Sequence, residues 1–262
     1  MPEAGGLYYE WHGDAKAPPL ILSAGLGGSG SYWQPNLDAL AEHFRILLYD
    51  HRGTGRSDRA LQQTHARDEG MTFDVKELMD GLGIVSAHFM GHAAGAMIGL
   101  SLALEWPERV RKLVAINGWA RPDPHFSRCF DARLALLRSE GPGAYISAQP
   151  IFLYPADWSS RHNARLNEEA VHMVDHFPAV DVMERRIGAL RRWDIDDRCQ
   201  HIEAPTLVLA AADDMLVPPL CSQRLAERLP NAKLAMMPWG GHACNVTDPE
   251  TFNRVVLDFL RR

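Results

Sequence analysis

Apolar residues along this chain fall into short unbroken runs, separated by segments in which they recur every three or four positions. Leu20 to Ala24 and Arg45 to Tyr49 are runs of strand length bounded by glycine, aspartate or proline, and they predict buried strands. From Thr72 the pattern changes. Phe73, Val75, Leu78, Met79 and Leu82 follow helical spacing, with the Thr72 hydroxyl as the expected cap. Ile84 to Met90 predicts a strand. Ala94 to Leu104 predicts an apolar helix, in which Gly95, Gly99 and the alanines would permit close packing on a sheet. Lys112 to Ile116, Thr206 to Ala210 and Lys233 to Met237 predict further strands. Such alternation predicts an α/β fold with a mostly parallel central sheet and helices on both faces.

Between Arg121 and Asp194 the strand-like runs stop, and arginine and aromatic residues become frequent. This predicts a helical lid over residues 121–194, inserted into a core formed by residues 1–120 and 195–262. A set of additional crossover helices is the alternative. Ten arginines lie between Arg121 and Arg192. One of them could bind a carboxylate or carbamate anion, although arginines on a solvated helical face are the commoner case.

Composition narrows the function classes. The chain has 262 residues, of which 46% are hydrophobic and 23% charged, with a net charge of −6. These are the proportions of a globular protein long enough to bury a large core. The mildly acidic balance and the lack of a basic block argue against nucleic acid as a partner. The longest apolar stretch, Ala93 to Leu104, is shorter than the roughly 20 residues that span a bilayer, so no membrane partner is expected. Met1 to Glu10 has no basic segment leading into an apolar core, so no signal peptide is expected and the location should be cytoplasmic. Cys129, Cys199, Cys221 and Cys244 show no CxxC spacing. The twelve histidines form no HExxH, and His88 and His92 fall in a strand-like run rather than on one helix face. Neither a metal nor a cofactor is therefore expected. The expected partner is a small-molecule substrate, with a homodimer left open.

Two glycine motifs compete for attention. Gly25-Leu26-Gly27-Gly28-Ser29-Gly30 fits GxGxxG after a strand, with Asp50 ending the next strand, as in a dinucleotide site. A helix should open at the last glycine there, but Pro35 would break that turn. The same loop could instead turn a backbone N–H toward a developing oxyanion. The second motif, Gly91-His92-Ala93-Ala94-Gly95, lies between a predicted strand and a predicted helix. It has the frame of a nucleophile elbow, GxSxG, with Ala93 where the serine would stand. Further on, the Thr206 strand leads to Asp213, Asp214 and Pro218, and the Lys233 strand to Gly240, Gly241 and His242. By its spacing from Pro218, Asp214 is the preferred acid. Singly, these are ordinary turn and loop residues. In this order, elbow, acid, histidine, each after a strand, they form a joint signal.

With these residues the chain resembles the α/β-hydrolase superfamily over its whole length, including the Asp50-His51-Arg52-Gly53-Thr54-Gly55-Arg56-Ser57-Asp58 turn. Within it, Ser23 to Trp33, Val114 to Trp119, Ala148 to Trp158 and Met237 to Phe252 resemble the RutD family of the Rut pyrimidine-utilisation pathway. The resemblance implies that alanine is native at the elbow. It also implies hydrolysis of carbamate or aminoacrylate late in uracil breakdown; both compounds also decompose without an enzyme. His242, oriented by Asp214, would activate water. The N–H groups of Leu26 and Ala94 would form the oxyanion hole, and Asn117, Trp119 and Trp158 are pocket candidates. Ser23, Ser29 and Ser31 are candidates for a displaced nucleophile. Two other readings remain: cofactor-free oxygenation or C–C cleavage by the same pair, and a non-catalytic binding protein.

Overall fold

The computed structural model describes residues 3–61 and 70–262; Met1 and Pro2, at the start of the N-terminal stretch considered above, lie outside them. Within these residues one sheet of eight strands forms. The strands are β1 (Glu3–Ala4), β2 (Leu7–His12), β3 (Pro19–Ser23), β4 (Arg45–Tyr49), β5 (Ala87–His92), β6 (Val110–Ile116), β7 (Thr206–Ala211) and β8 (Ala232–Met237). Their order is β1-β2-β4-β3-β5-β6-β7-β8. β2 runs antiparallel to β1 and β4, and the strands from β4 to β8 are parallel.

The unbroken apolar runs follow from burial on both faces. Ile21, Leu47, Phe89, Leu113 and Val208 point into one core, while Leu20, Ile46, Met90, Val114 and Leu207 point into the other. Helices α2 (Met71–Gly81), α3 (Ala94–Glu105) and α9 (Pro219–Arg228) cover the first face. Helices α1 (Gln34–Ala41), α10 (Cys244–Thr247) and α11 (Pro249–Leu260) cover the second. Asn36 of α1 ties that second layer together. Its amide donates to the Asn245 carbonyl at 3.1 Å and to Asn253 Oδ1 at 3.0 Å.

Four details differ from the sequence reading. β5 starts at Ala87 rather than Ile84, because Ile84 packs into the core from a loop while Val85 is 80% exposed. Thr72 does not cap α2: Gly70, with φ of 81°, is the capping residue, and Thr72 lies buried inside the helix. β2 was not foreseen; only Leu7 and Tyr8 are buried in it, so it carries neither a long apolar run nor clean alternation. Pro35 does not break a helix but opens α1, where a missing N–H costs nothing. A 3₁₀ turn, Gly30–Trp33, opens at the last glycine and runs directly into that helix.

Between β6 and β7 the chain forms five α-helices, α4 (Pro124–Glu140), α5 (Pro142–Leu153), α6 (Ala156–Arg161), α7 (Asn163–Asp175) and α8 (Val180–Arg192), and then a 3₁₀ helix, Asp196–His201. They join the first core through Phe126, Phe130, Tyr145, Met183 and Ile187. The Ala243 N–H donates to the Leu153 carbonyl at 3.0 Å, which pins the end of α5 to the loop after β8.

α3 is apolar all round and buried through most of its length, so it packs against the sheet without a solvated face. Its first turn approaches β3 so closely that a Cβ at Gly95 would lie 2.2 Å from the Ser23 carbonyl oxygen. Gly95→Ala should therefore destabilise the protein by about 3 kcal/mol, read as a lowered midpoint in urea unfolding followed by circular dichroism.

Candidate active site

The turn from β5 into α3 is the most constrained point of the backbone. Ala93 has φ of 49° and ψ of −103°, a left-handed conformation that costs an alanine about 1–3 kcal/mol. Two glycine contacts hold it. A Cβ at Gly91 would meet the Gly95 carbonyl at 2.1 Å, and Gly95 is pressed on Ser23 as described above. The Ala93 N–H donates to the Ile116 carbonyl at 2.8 Å. The elbow frame is thus present, and its apex carries only a methyl group. Ala94, next in the chain, is the first residue of α3. Its N–H is one of the four that a helix start leaves without an intrahelical partner.

His242 and Asp214 meet as a pair. Their Nδ1 and Oδ2 atoms are 2.8 Å apart, and the residues are only 2% and 5% exposed. The other carboxylate oxygen of Asp214 accepts from the N–H groups of Leu216 and Val217, at 2.8 and 3.0 Å. An ionised carboxylate only accepts, so Nδ1 donates to it, and in the neutral ring Nε2 then holds the lone pair. Asp213 acts on the backbone instead. Its carboxylate accepts the Gly241 N–H at 2.8 Å and so holds the histidine loop. Asp214, rather than Asp213, is thus the carboxylate bonded to the His242 ring.

The backbone of His242 is held as firmly as its ring. Its carbonyl accepts from Asn117 Nδ2 at 2.6 Å and from His92 Nε2 at 2.7 Å. His92 is buried and stacked on Tyr32, and burial pushes its pKa well down, so it is neutral and donates from Nε2. Asn117 itself has φ of 49°. Its amide nitrogen is therefore engaged with the histidine loop, a positioning contact that sequence reasoning assigned to the substrate pocket. His92 was not foreseen at all in this role.

The other pocket candidates separate. Trp119 is buried against Phe126 and Trp193 at the junction of β6 with the helical layer. Trp158 lies in α6, stacked on His162 with ring centroids 3.9 Å apart. A groove of about 530 Å³ lined by Ile146, Pro150, Ser159, Asn163 and Leu166 shares no residue with the Asp214–His242 pair.

The first glycine loop is structural at its acid. The Asp50 carboxylate is buried and accepts from the Gly30 N–H at 2.8 Å and from Arg56 Nε at 2.8 Å. It is therefore not free for a ribose. Leu26 of the same loop is held from the helical layer, because Arg186 Nη2 donates to its carbonyl at 3.0 Å. The same nitrogen lies 3.0 Å from His51 Nδ1. A guanidinium always donates, so His51 accepts at Nδ1 and donates from Nε2 to Ser23 Oγ, 3.1 Å away. Burial keeps His51 neutral, its pKa pushed well down. Ser23 thus faces a histidine that cannot take its proton. Ser29 and Ser31 bond each other at the surface, 2.8 Å apart. Among the described residues, none of the three serines is bonded to a group placed to take its proton.

Comparison with known proteins agrees with this architecture. The α/β-hydrolase fold family model matches residues 18–249. A protein of Caulobacter sp. (strain K31) named "Putative carbamate hydrolase RutD" is 58% identical over 257 residues, covering 97% of this chain and 96% of its own. A relative of the same name from Variovorax paradoxus (strain S110) is 52% identical, covering 98% and 96%. Among solved structures, the enol-lactonase from Burkholderia xenovorans LB400 superposes with a TM-score of 0.85 at 28% identity, over 99% of this chain and 98% of that one. A hydrolase from Pseudomonas aeruginosa PA01 reaches 0.87 at 30% identity, over 98% and 94%. With family model, relatives and fold in agreement across nearly the whole length, the chain belongs to the α/β-hydrolase fold family and, within it, to the RutD family.

Proposed function

We propose that this hydrolase cleaves the C–N bond of a small, labile product of uracil breakdown, carbamate or 3-aminoacrylate, with water as the nucleophile. One observation carries the reading. A buried, correctly oriented His242–Asp214 pair stands with an elbow whose apex, Ala93, has no nucleophilic atom. The RutD relatives support carbamate as the first substrate to test, since their names carry it.

In this mechanism Nε2 of His242 takes a proton from water, and Asp214 stabilises the imidazolium that forms. Hydroxide adds to the carbamate carbon. Charge developing on the oxygen meets the N–H groups of Leu26 and Ala94. Nitrogen then leaves with the proton returned from His242, giving ammonia and bicarbonate. With 3-aminoacrylate, water adds at the amine-bearing carbon, and ammonia and malonic semialdehyde result. Loss of a covalent nucleophile still leaves roughly 10³–10⁴-fold acceleration in a serine hydrolase. That suffices for compounds that already decay in water, and would not for an ordinary amide.

The burial of His242 and Asp214 favours a small substrate over the bulky apolar ones that oxygenation or C–C cleavage would require. Residues 121–194 would then act as the lid that excludes bulk water. Four buried free thiols suit a reducing compartment, and we assign the protein to the cytoplasm. Among the described residues no helix is long and apolar enough to cross a membrane.

Ammonia release from carbamate and from 3-aminoacrylate tests the reading. The wild type should accelerate one of them, and His242→Ala and Asp214→Asn should each lower kcat by about 10²-fold or more. Acceleration of neither compound by the wild type would overturn it. A second test uses Ala93→Ser. The strained turn should lift the new hydroxyl toward His242, so burst release of nitrophenol from p-nitrophenyl acetate is expected, with the wild type showing no burst.

A further inference from the structure

Three arginines are buried in the described part of the protein: Arg52, Arg133 and Arg186. A buried guanidinium stays charged and needs either a carboxylate or several good acceptors. Two of the three have them. Arg52 pairs with Asp74 at 2.8 Å and reaches Asp58 at 3.3 Å. Arg186 donates to the carbonyls of Arg52 and Leu26 and to His51, so that only its Nε is left over.

Arg133 is different. It is 4% exposed, and among the described residues no carboxylate forms an ion pair with it. Its Nη2 makes one long bond, 3.3 Å, to Gln149 Oε1, and its buried Nε has no partner. The guanidinium lies instead among three aromatic rings, 4.6 Å from the centre of Tyr145, 5.3 Å from Phe130 and 5.6 Å from Phe152. Ring faces attract a cation but give its N–H groups no directional acceptor. Burial also pushes its pKa below the ordinary arginine value. The site holds an uncompensated positive charge with donors to spare.

The surroundings connect this charge to the candidate active site. Cys129, one helical turn before Arg133, lies 3.8 Å from the carbonyl of Met215, the neighbour of Asp214. Phe152 directly precedes Leu153, whose carbonyl accepts the N–H of Ala243, the neighbour of His242. The two segments that surround the guanidinium, α4 and α5, are therefore those that touch the acid loop and the histidine loop. An aromatic cage thus surrounds an under-coordinated arginine at the junction of these two loops.

We propose that Arg133 anchors the negative charge of the substrate, a small monoanion such as 3-aminoacrylate whose carboxylate is separate from the carbon that reacts. This deepens the hydrolase reading, and rests on it only for the identity of the anion. The planar fork of the guanidinium would take both anion oxygens, through Nε and an Nη nitrogen. The uncharged end of the molecule would then extend toward His242. The aromatic walls limit the size of what can bind and strengthen the ion pair by excluding water. The same contact discriminates against neutral amides, which offer no charge to the arginine.

Binding, rather than turnover, is the test. Propionate serves as an unreactive small carboxylate and propionamide as its neutral counterpart, with affinities taken from titration calorimetry. The wild type should bind propionate and bind propionamide at least about ten-fold more weakly. Arg133→Met should lose propionate affinity by about ten-fold or more, and Arg133→Lys should keep part of it. Equal binding of propionate and propionamide by the wild type would overturn the proposal even if Arg133→Met does not fold. So would unchanged propionate affinity in a folded Arg133→Met variant, or no propionate binding at all. Arg133-dependent binding in a protein that accelerates neither carbamate nor 3-aminoacrylate decay would uphold the anchor and sink the hydrolytic reading alone.

Discussion

The close approach of α3 to β3 is the constraint on which the rest of the site depends. Gly91 and Gly95 let backbone meet backbone where any side chain would collide, and the price is the left-handed turn at Ala93. Once that turn exists, the start of α3 is fixed at the end of β5. The strands on either side place the remaining parts. β3 ends in the Leu26 loop, β6 in Asn117, β7 in Asp214, and the chain after β8 in His242. A parallel sheet collects its strand ends along one edge, so residues distant in sequence converge there.

Histidine orientation is then a matter of hydrogen-bond direction. Asp214 fixes the proton on Nδ1, while Asn117 and His92 fix the carbonyl of the same residue. Ring and backbone are therefore anchored separately. Two neutral histidines, His51 and His92, brace the loops on either side of the elbow, each kept uncharged by burial. Ionised, His92 would place a positive charge 4.6 Å from the ring centre of His242.

What could be read from the chain and what could not divide along a physical line. β3 to β8, the elbow, Asp214 and His242 were legible because each belongs to a local pattern: an apolar run followed at once by a short turn of glycine, alanine or acidic residues. Those patterns survive because strands buried on both faces admit few polar residues. β2 escaped because an edge strand with four half-buried residues carries no such run. Thr72 misled because a hydroxyl before an apolar run looks the same whether it caps a helix or lies within one. Asn117, His92 and Arg133 take their roles from partners as many as 150 positions away, and no spacing rule encodes those pairs. Among the ten arginines of this helical layer, burial sets Arg133 and Arg186 apart, and of these two only Arg186 has several backbone and side-chain acceptors.

The asparagine contacts beneath α1 have a consequence for how the chain reaches this structure. Asn36 bonds residues 209 and 217 positions further on, and Trp33 and Leu37 share a core with Phe252 and Val256. The second core thus remains open until nearly the whole polypeptide is available. During synthesis, Trp33 and the apolar face of α1 would wait, uncovered, for the final helices. Contacts of such long sequence separation slow folding and prolong the exposure of apolar surface. Folding of this enzyme is therefore expected to be limited by the arrival of α10 and α11, and a growing chain would be most prone to association just before they form.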